Sequence, residues 1–141
     1  LRDFLTKELQ PTRLTPEEYL QVVDLIASMT ATEHHLLAYA YKGDIPTLYK
    51  KSLFFLHKVE GDIVAFQRVT LNPSKLEELY VAPAARHLGI GGSLLDKAIN
   101  VLPKPISMKV KTNNAAMLKL ALEKAFKPER PVRGVVTLIL S

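Results

Sequence analysis

The chain has 141 residues, 48% hydrophobic and 23% charged, with no cysteine and a formal net charge of +5, a length and balance that suit one domain with a buried core and exclude a disordered or collagen-like chain. The missing thiols exclude disulfides, thiolate zinc sites and a cysteine nucleophile. No apolar run approaches a membrane span and no signal pattern opens the sequence, so a cytoplasmic protein without a membrane partner is expected, and the scattered basic residues make nucleic acid an unfavoured ligand.

Lys7 to Leu14 reads as a short first strand interrupted by Pro11. Thr15 followed by Glu18 forms a capping box, with Pro16 at the first helical position and Leu14 and Tyr19 at hydrophobic-staple spacing. A helix is therefore predicted from Pro16 to Met29, with Tyr19, Val22, Val23 and Ile26 on its core face. Thr32 to Lys51, broken by Gly43 and Pro46, reads as a second short helix and a loop. Three β-prone runs follow, Leu53 to Val59, Ile63 to Leu71 and Lys75 to Val81, and their short turn-rich links predict an antiparallel meander. Pro83 ends the third run, and a glycine-containing loop leads into a helix carrying Leu94, Leu95, Ala98, Ile99 and Leu102 that Pro103 stops. Ile106, Met108 and Val110 alternate with polar residues as in a half-buried strand. Asn113 or Asn114 caps a further helix to about Phe126, and Gly134 to Leu140 is a final apolar strand. This order predicts an α+β chain with a mixed, mostly antiparallel sheet, in one domain over residues 1–141.

The stretch richest in chemistry is Leu79-Tyr80-Val81-Ala82-Pro83-Ala84-Ala85-Arg86-His87-Leu88-Gly89-Ile90-Gly91-Gly92. Gly89, Gly91 and Gly92 let backbone N–H groups crowd inward where a helix starts, and the positive end of that helix favours an anion such as a pyrophosphate. Arg86 adds a cation. The loop lacks the Gly-Lys-Ser/Thr ending of a Walker loop, and it follows a meander rather than opening a parallel βαβ unit, which excludes the nucleoside-triphosphate and dinucleotide readings.

Arg86-His87-Leu88-Gly89-Ile90-Gly91 resembles the R/Q-x-x-G-x-G/A signature of the GNAT superfamily of N-acetyltransferases, and Leu76 to Pro83 resembles its fourth strand. The resemblance implies a three-layer α/β/α fold and an acetyl-CoA co-substrate without a metal. It implies that the loop amides from Arg86 to Gly92 hold the pyrophosphate, that backbone groups of Leu79, Tyr80 and Val81 pair with the pantetheine arm, and that Asn113 or Asn114 contacts the cofactor. In the family, a small residue, often glycine, usually stands where His87 does. The tyrosine that protonates the departing thiolate is replaced by Leu120 or Ala121, and the closing hairpin is expected to be reduced, with an open edge or one completed by a second subunit in a homodimer.

An amine of pKa near 10 must lose its proton before it attacks a thioester. Glu77 is the first candidate to take it, by resemblance, with Glu78 second, and strand alternation predicts that only one of them faces the cleft. A backbone N–H near Val81 can polarise the thioester, and Tyr80, Tyr39 or Tyr41 are candidate acids. Glu33-His34-His35 is read as an exposed loop rather than a metal cluster, since adjacent histidines on a helix point apart. Two functions follow: N-acetyl transfer to an amine of a small molecule or peptide by direct transfer in a ternary complex, or a non-catalytic acetyl-CoA-binding regulator of a partner protein. For the second, Arg68-Val69-Thr70-Leu71 is similar to the GNAT-like maturation factor of an aspartate decarboxylase.

Overall fold

The computed structural model describes residues 10–27 and 45–141. The capping box forms as the sequence predicts: Thr15 N donates to Glu18 Oε1 at 2.9 Å and Glu18 N to Thr15 Oγ1 at 3.2 Å. It opens helix α1 (Pro16–Ala27), beyond which the predicted last turn lies outside the described residues. Burial works to raise the Glu18 pKa, but the Lys58 ammonium, 2.7 Å away, and the Thr15 bonds outweigh it and hold the carboxyl below its usual value. Of the predicted first strand, Thr12 is seen, exchanging backbone hydrogen bonds of 3.0 and 2.8 Å with Phe54.

Helix α2 (Ile45–Lys51) leads into the meander of β1 (Leu53–Val59), β2 (Asp62–Thr70) and β3 (Ser74–Val81). Glu60 and Gly61 take left-handed φ values of 52° and 85° in the first turn, the conformation that lets a tight hairpin follow the twist of its strands. A short 3-10 turn (Pro83–Ala85) precedes α3 (Ile90–Val101), then come β4 (Ile106–Lys111), α4 (Ala115–Glu123), β5 (Lys127–Pro128) and β6 (Val135–Leu140). Helix α4 thus stops before Phe126, because Ala125 takes a left-handed φ of 71° and a non-glycine residue there cannot prolong a helix.

The six strands form one sheet in the order β1-β2-β3-β4-β6-β5, antiparallel except for β3 against β4. Strand alternation gives it two packed faces. On one, Phe55, Ala65, Val69, Ile106, Met108, Val110 and Leu138 meet α3 and α4 through Leu94, Leu95, Ala98 and Ala121. On the other, Phe54 and Phe66 meet Val22 of α1 and Tyr49 of α2, with the rings of Tyr49, Phe54 and Phe66 5.4 to 6.3 Å apart. Helices therefore cover both faces, the three-layer arrangement expected. The closing hairpin is reduced as predicted: β5 pairs only Lys127 and Pro128 with Ile139 and Leu138. Among the described residues no helix is long and apolar enough to cross a membrane.

Two irregularities shape the site. Arg68 pairs with Glu78 but Val69 pairs with Leu76, so Glu77 is an extra residue in β3, a β-bulge. The parallel pairing of β3 and β4 covers only Ser74 to Leu76 against Ile106 to Met108. Beyond that the two strands part.

Candidate active site

The parting of β3 and β4 opens a cleft of about 410 Å³. Its walls are β3 from Leu76 to Val81, the facing residues Met108 to Val110 of β4, Met117 and Leu120 of α4, and Gly91 at the head of α3. Among the described residues the ladder between β3 and β4 stops at Leu76. Because Ala82 N donates back to Val64 O on β2 at 2.8 Å, alternation turns the N–H groups of Leu79 and Val81 away from β2 and toward the gap. The backbone edge at Leu79 and Val81 therefore faces the gap between β3 and β4.

The head of α3 stands at the same cleft. Gly89 is its N-cap in the left-handed conformation, with φ 79°, which a side chain would strain. The first helical bond runs from Ser93 N to Gly89 O at 3.0 Å, so the N–H groups of Ile90, Gly91 and Gly92 have no acceptor within the helix and stand at its positive end. Gly91 has an ordinary φ; what it provides is space. A Cβ there would lie in ordinary contact, 3.8 Å from the side chains of Leu79, Val81 and Leu120, all cleft residues, so a larger side chain would have to compete with them for the cleft. Gly92 differs, since its Cβ would meet only Leu120, at 3.6 Å.

Arg86 sits at the cleft, but its Nε donates to Val81 O at 2.9 Å and its guanidinium lies 5.5 Å from the Tyr80 ring centroid. It ties the loop back to the end of β3 as well as lending charge. His87 is exposed at the cleft mouth and takes a left-handed φ of 67°, which explains why the resemblance leads one to expect a small residue there. His87→Gly is expected to stabilise the fold by about 1 kcal/mol by removing that strain, read as a raised midpoint in urea; an unchanged or lower midpoint would show that the imidazole makes a compensating contact. Leu88 is 72% exposed and Ile90 is buried in the core, and neither lines the cleft, so any part they play is through their backbone.

Both candidate glutamates are among the cleft residues, as is every residue of β3 from Leu76 to Val81, and their carboxylates take partners on one face of β2, where strict alternation would separate them. The bulge at Glu77 is the reason, because an inserted residue breaks the period of two. Glu77 accepts from Thr70 Oγ1 at 3.1 Å, and Glu78 accepts from Arg68 Nε at 2.9 Å; Arg68 and Thr70 stand two apart on β2 and share a face. Their surroundings differ sharply. Glu77 is half-buried, with Oε1 taken by the threonine. Glu78 is buried, paired to Arg68 Nη2 at 2.8 Å, and its Oε2 accepts from the Tyr49 hydroxyl. Arg68 is itself buried, reaches Ser52 Oγ at 3.4 Å and lies over the Tyr49 ring.

Of the two asparagines, Asn114 is the cap of α4, its side chain accepting from Met117 N at 3.2 Å, and it lines the cleft. Asn113 is exposed and does not. Leu120 lines the cleft, whereas Ala121 is buried in the core. Tyr80 is buried against Phe66, with ring centroids 6.1 Å apart, in the aromatic cluster on the α1 and α2 face, turned from Leu120. Tyr39, Tyr41, Glu33, His34 and His35 lie outside the described residues.

Two features escaped the sequence reading. Gln67, in the middle of β2, lines the cleft with its amide buried; the signal was a polar residue at the core position of the run Ile63, Ala65, Gln67, Val69. The second is a groove of about 550 Å³ beside the cleft, sharing Leu76, Glu77, Met108 and Lys109 with it and adding Lys75, Arg130 and Arg133. It is assembled from β3, β4 and the β5–β6 turn, which no local motif announces.

The parted strands, the helix head at Gly89 and the carboxylates at a bulge describe an acetyltransferase fold. The sequence pattern of the acetyltransferase (GNAT) family matches residues 17–126, and the chain belongs to that family. No curated protein matches it by sequence. Among solved structures it is similar to the GNAT domain of S. lividans PAT, with TM-score 0.75, 15% identity and coverage of 92% of this chain and 87% of that one. It is also similar to the paia N-acetyltransferase of Thermoplasma acidophilum in complex with coenzyme A, at 0.71, 14%, 91% and 95%. Escherichia coli ElaA gives 0.70, 17%, 91% and 93%. At these identities the likeness is one of fold.

Proposed function

We propose that the chain transfers the acetyl group of acetyl-CoA directly to an amine nitrogen, in a ternary complex with no covalent enzyme intermediate. The observation that carries this is the junction of three outward N–H groups at Ile90, Gly91 and Gly92 with an unpaired strand edge and a carboxylate at its bulge. The residues fit the co-substrate: Gly91 brings the helix backbone close to Leu79, Val81 and Leu120, and the amides with Arg86 suit a diphosphate. Leu79 and Val81 offer the free edge to the pantetheine arm, and Asn114 stands at the facing wall.

When bound, acetyl-CoA supplies the activated thioester. The Val81 N–H, turned to the gap, is placed to polarise its carbonyl. Glu77, oriented by Thr70, takes the proton of the amine, which reaches it from the adjoining groove. Leu120 cannot donate a proton, and the reaction does without one because a thiol of pKa about 8.5 leaves acceptably as thiolate.

Calorimetry and a free-thiol assay over a panel of amines test the two halves of this reading. Wild type is expected to bind acetyl-CoA and release thiol with at least one amine. Gly91→Leu is expected to weaken binding about 100-fold, near 2.7 kcal/mol. It should leave the fold as stable or more so, since glycine costs a helix about 0.5–1 kcal/mol relative to alanine. Equal binding by wild type and Gly91→Leu would remove the helix head from the argument.

Leu120 at the acid position favours a second reading, a non-catalytic regulator. Acetyl-CoA-dependent capture of a partner with no thiol release across the panel would establish it over the enzyme.

A further inference from the structure

Gln67 stands opposite Leu79 on β2, sharing with Ala65 and Val69 the face covered by α3 and α4. Its side chain is fully buried, and among the described residues neither Oε1 nor Nε2 has a hydrogen-bond partner. Such a group is a standing cost to the fold, because water is lost and nothing replaces it. A leucine or methionine would carry no such cost at this position. Yet Gln67 is one of the residues around the cleft, beneath the apolar walls formed by Leu76, Leu79, Met108, Met117 and Leu120. A buried polar group left unmet in the free protein is what a ligand-reading group looks like before its ligand arrives.

The amide defines what that ligand must bring: an acceptor for the Nε2 hydrogens and a donor for Oε1. Phosphate oxygens only accept, and so does a thioester carbonyl. A secondary amide does both, and the pantetheine arm of coenzyme A contains such amides. We infer that Gln67 is a specificity-determining residue that hydrogen-bonds an amide of the pantetheine arm from the floor of the cleft, completing its own hydrogen bonding only in the complex. This rests on the acetyl-CoA reading above and adds to it a side chain beyond the signature motif.

The test compares wild type with Gln67→Leu, and with Gln67→Met as a second, more adaptable apolar replacement should leucine disturb folding. Three quantities are measured: the ligand-free melting temperature, the Kd for acetyl-CoA, and the Kd for adenosine 3′,5′-bisphosphate, which carries phosphates but no pantetheine arm. The expected result is a raised ligand-free melting temperature and an acetyl-CoA affinity about tenfold weaker. The acetyl-CoA-induced thermal shift shrinks accordingly, while adenosine 3′,5′-bisphosphate binds all three proteins alike. Unchanged acetyl-CoA affinity in the variants overturns the inference. So does a parallel loss for both ligands, which would mean a distorted cleft, and so does a lowered ligand-free melting temperature, which would mean an ordinary structural residue. If wild type binds neither ligand, the acetyl-CoA reading itself fails; if it binds both and the variants match it, only the role of Gln67 does.

Discussion

Replacing Glu77 with glutamine is expected to lower kcat for acetyl transfer by about 10²- to 10⁴-fold, the range of a general base, with the Kd for acetyl-CoA unchanged. The two neighbouring carboxylates are separated by what already occupies them. Glu78 has Oε1 bound to Arg68 and Oε2 to the Tyr49 hydroxyl, so accepting a proton would require giving up a buried partner. Glu77 is held at Oε1 by Thr70 and stands where the cleft and the basic groove meet, which is where an amine and a thioester would come together. Glutamine keeps the size and can still bond Thr70, so the fold should not suffer. The pH profile separates a base from a merely structural carboxylate. Below an amine pKa near 10 the free-base fraction rises about tenfold for each unit by which the pH is raised, so the defect should narrow steadily between pH 7 and 9. A defect that stays constant over that interval would exclude the role.

Most of the fold was written in local signals. The Thr15 to Glu18 capping box, the alternation of Ile106, Met108 and Val110, and the glycine-containing loop each rest on neighbours a few residues apart, and each formed where the pattern placed it. The start of α3 at the glycine-containing loop was legible for the same reason. What was not legible depends on register. The bulge at Glu77 is fixed by how β3 seats on β2 and β4, and no run of residues in β3 alone marks it. It lets both carboxylates find partners on one face of β2, where strand periodicity alone would separate them. Likewise Asn113 and Asn114 are equivalent caps in sequence, and only the packing of α4 selects Asn114. Arg68 and Glu78 lie ten residues apart, and Tyr49 lies 29 residues from Glu78, so their union belongs to the meander and its helix rather than to any motif.

That union carries the second large effect. Glu78→Ala is expected to destabilise the protein by about 3–5 kcal/mol, the cost of leaving a buried cation without its partner. Arg68 is 4% exposed and cannot turn to water, while Tyr49, fully buried, loses the acceptor of its hydroxyl. The network also joins α2 to β2 and β3, since Ser52, which Arg68 reaches, bonds Leu48 O at 2.7 Å. Loss of Glu78 should therefore loosen the strand that forms one wall of the cleft. Arg68→Met with Glu78→Leu should be less damaging than the two single losses added together, because removing both charges leaves neither stranded. Urea denaturation of the four proteins in the cycle measures this coupling, and a loss below about 1 kcal/mol for Glu78→Ala would place the pair among ordinary surface ion pairs. The contrast with Glu77 gives the site its division of labour: Glu77→Gln should lose turnover and keep its unfolding midpoint, whereas Glu78→Ala should lose the midpoint first. Turnover measured well below that midpoint then reports how far the cleft depends on the geometry the ion pair holds.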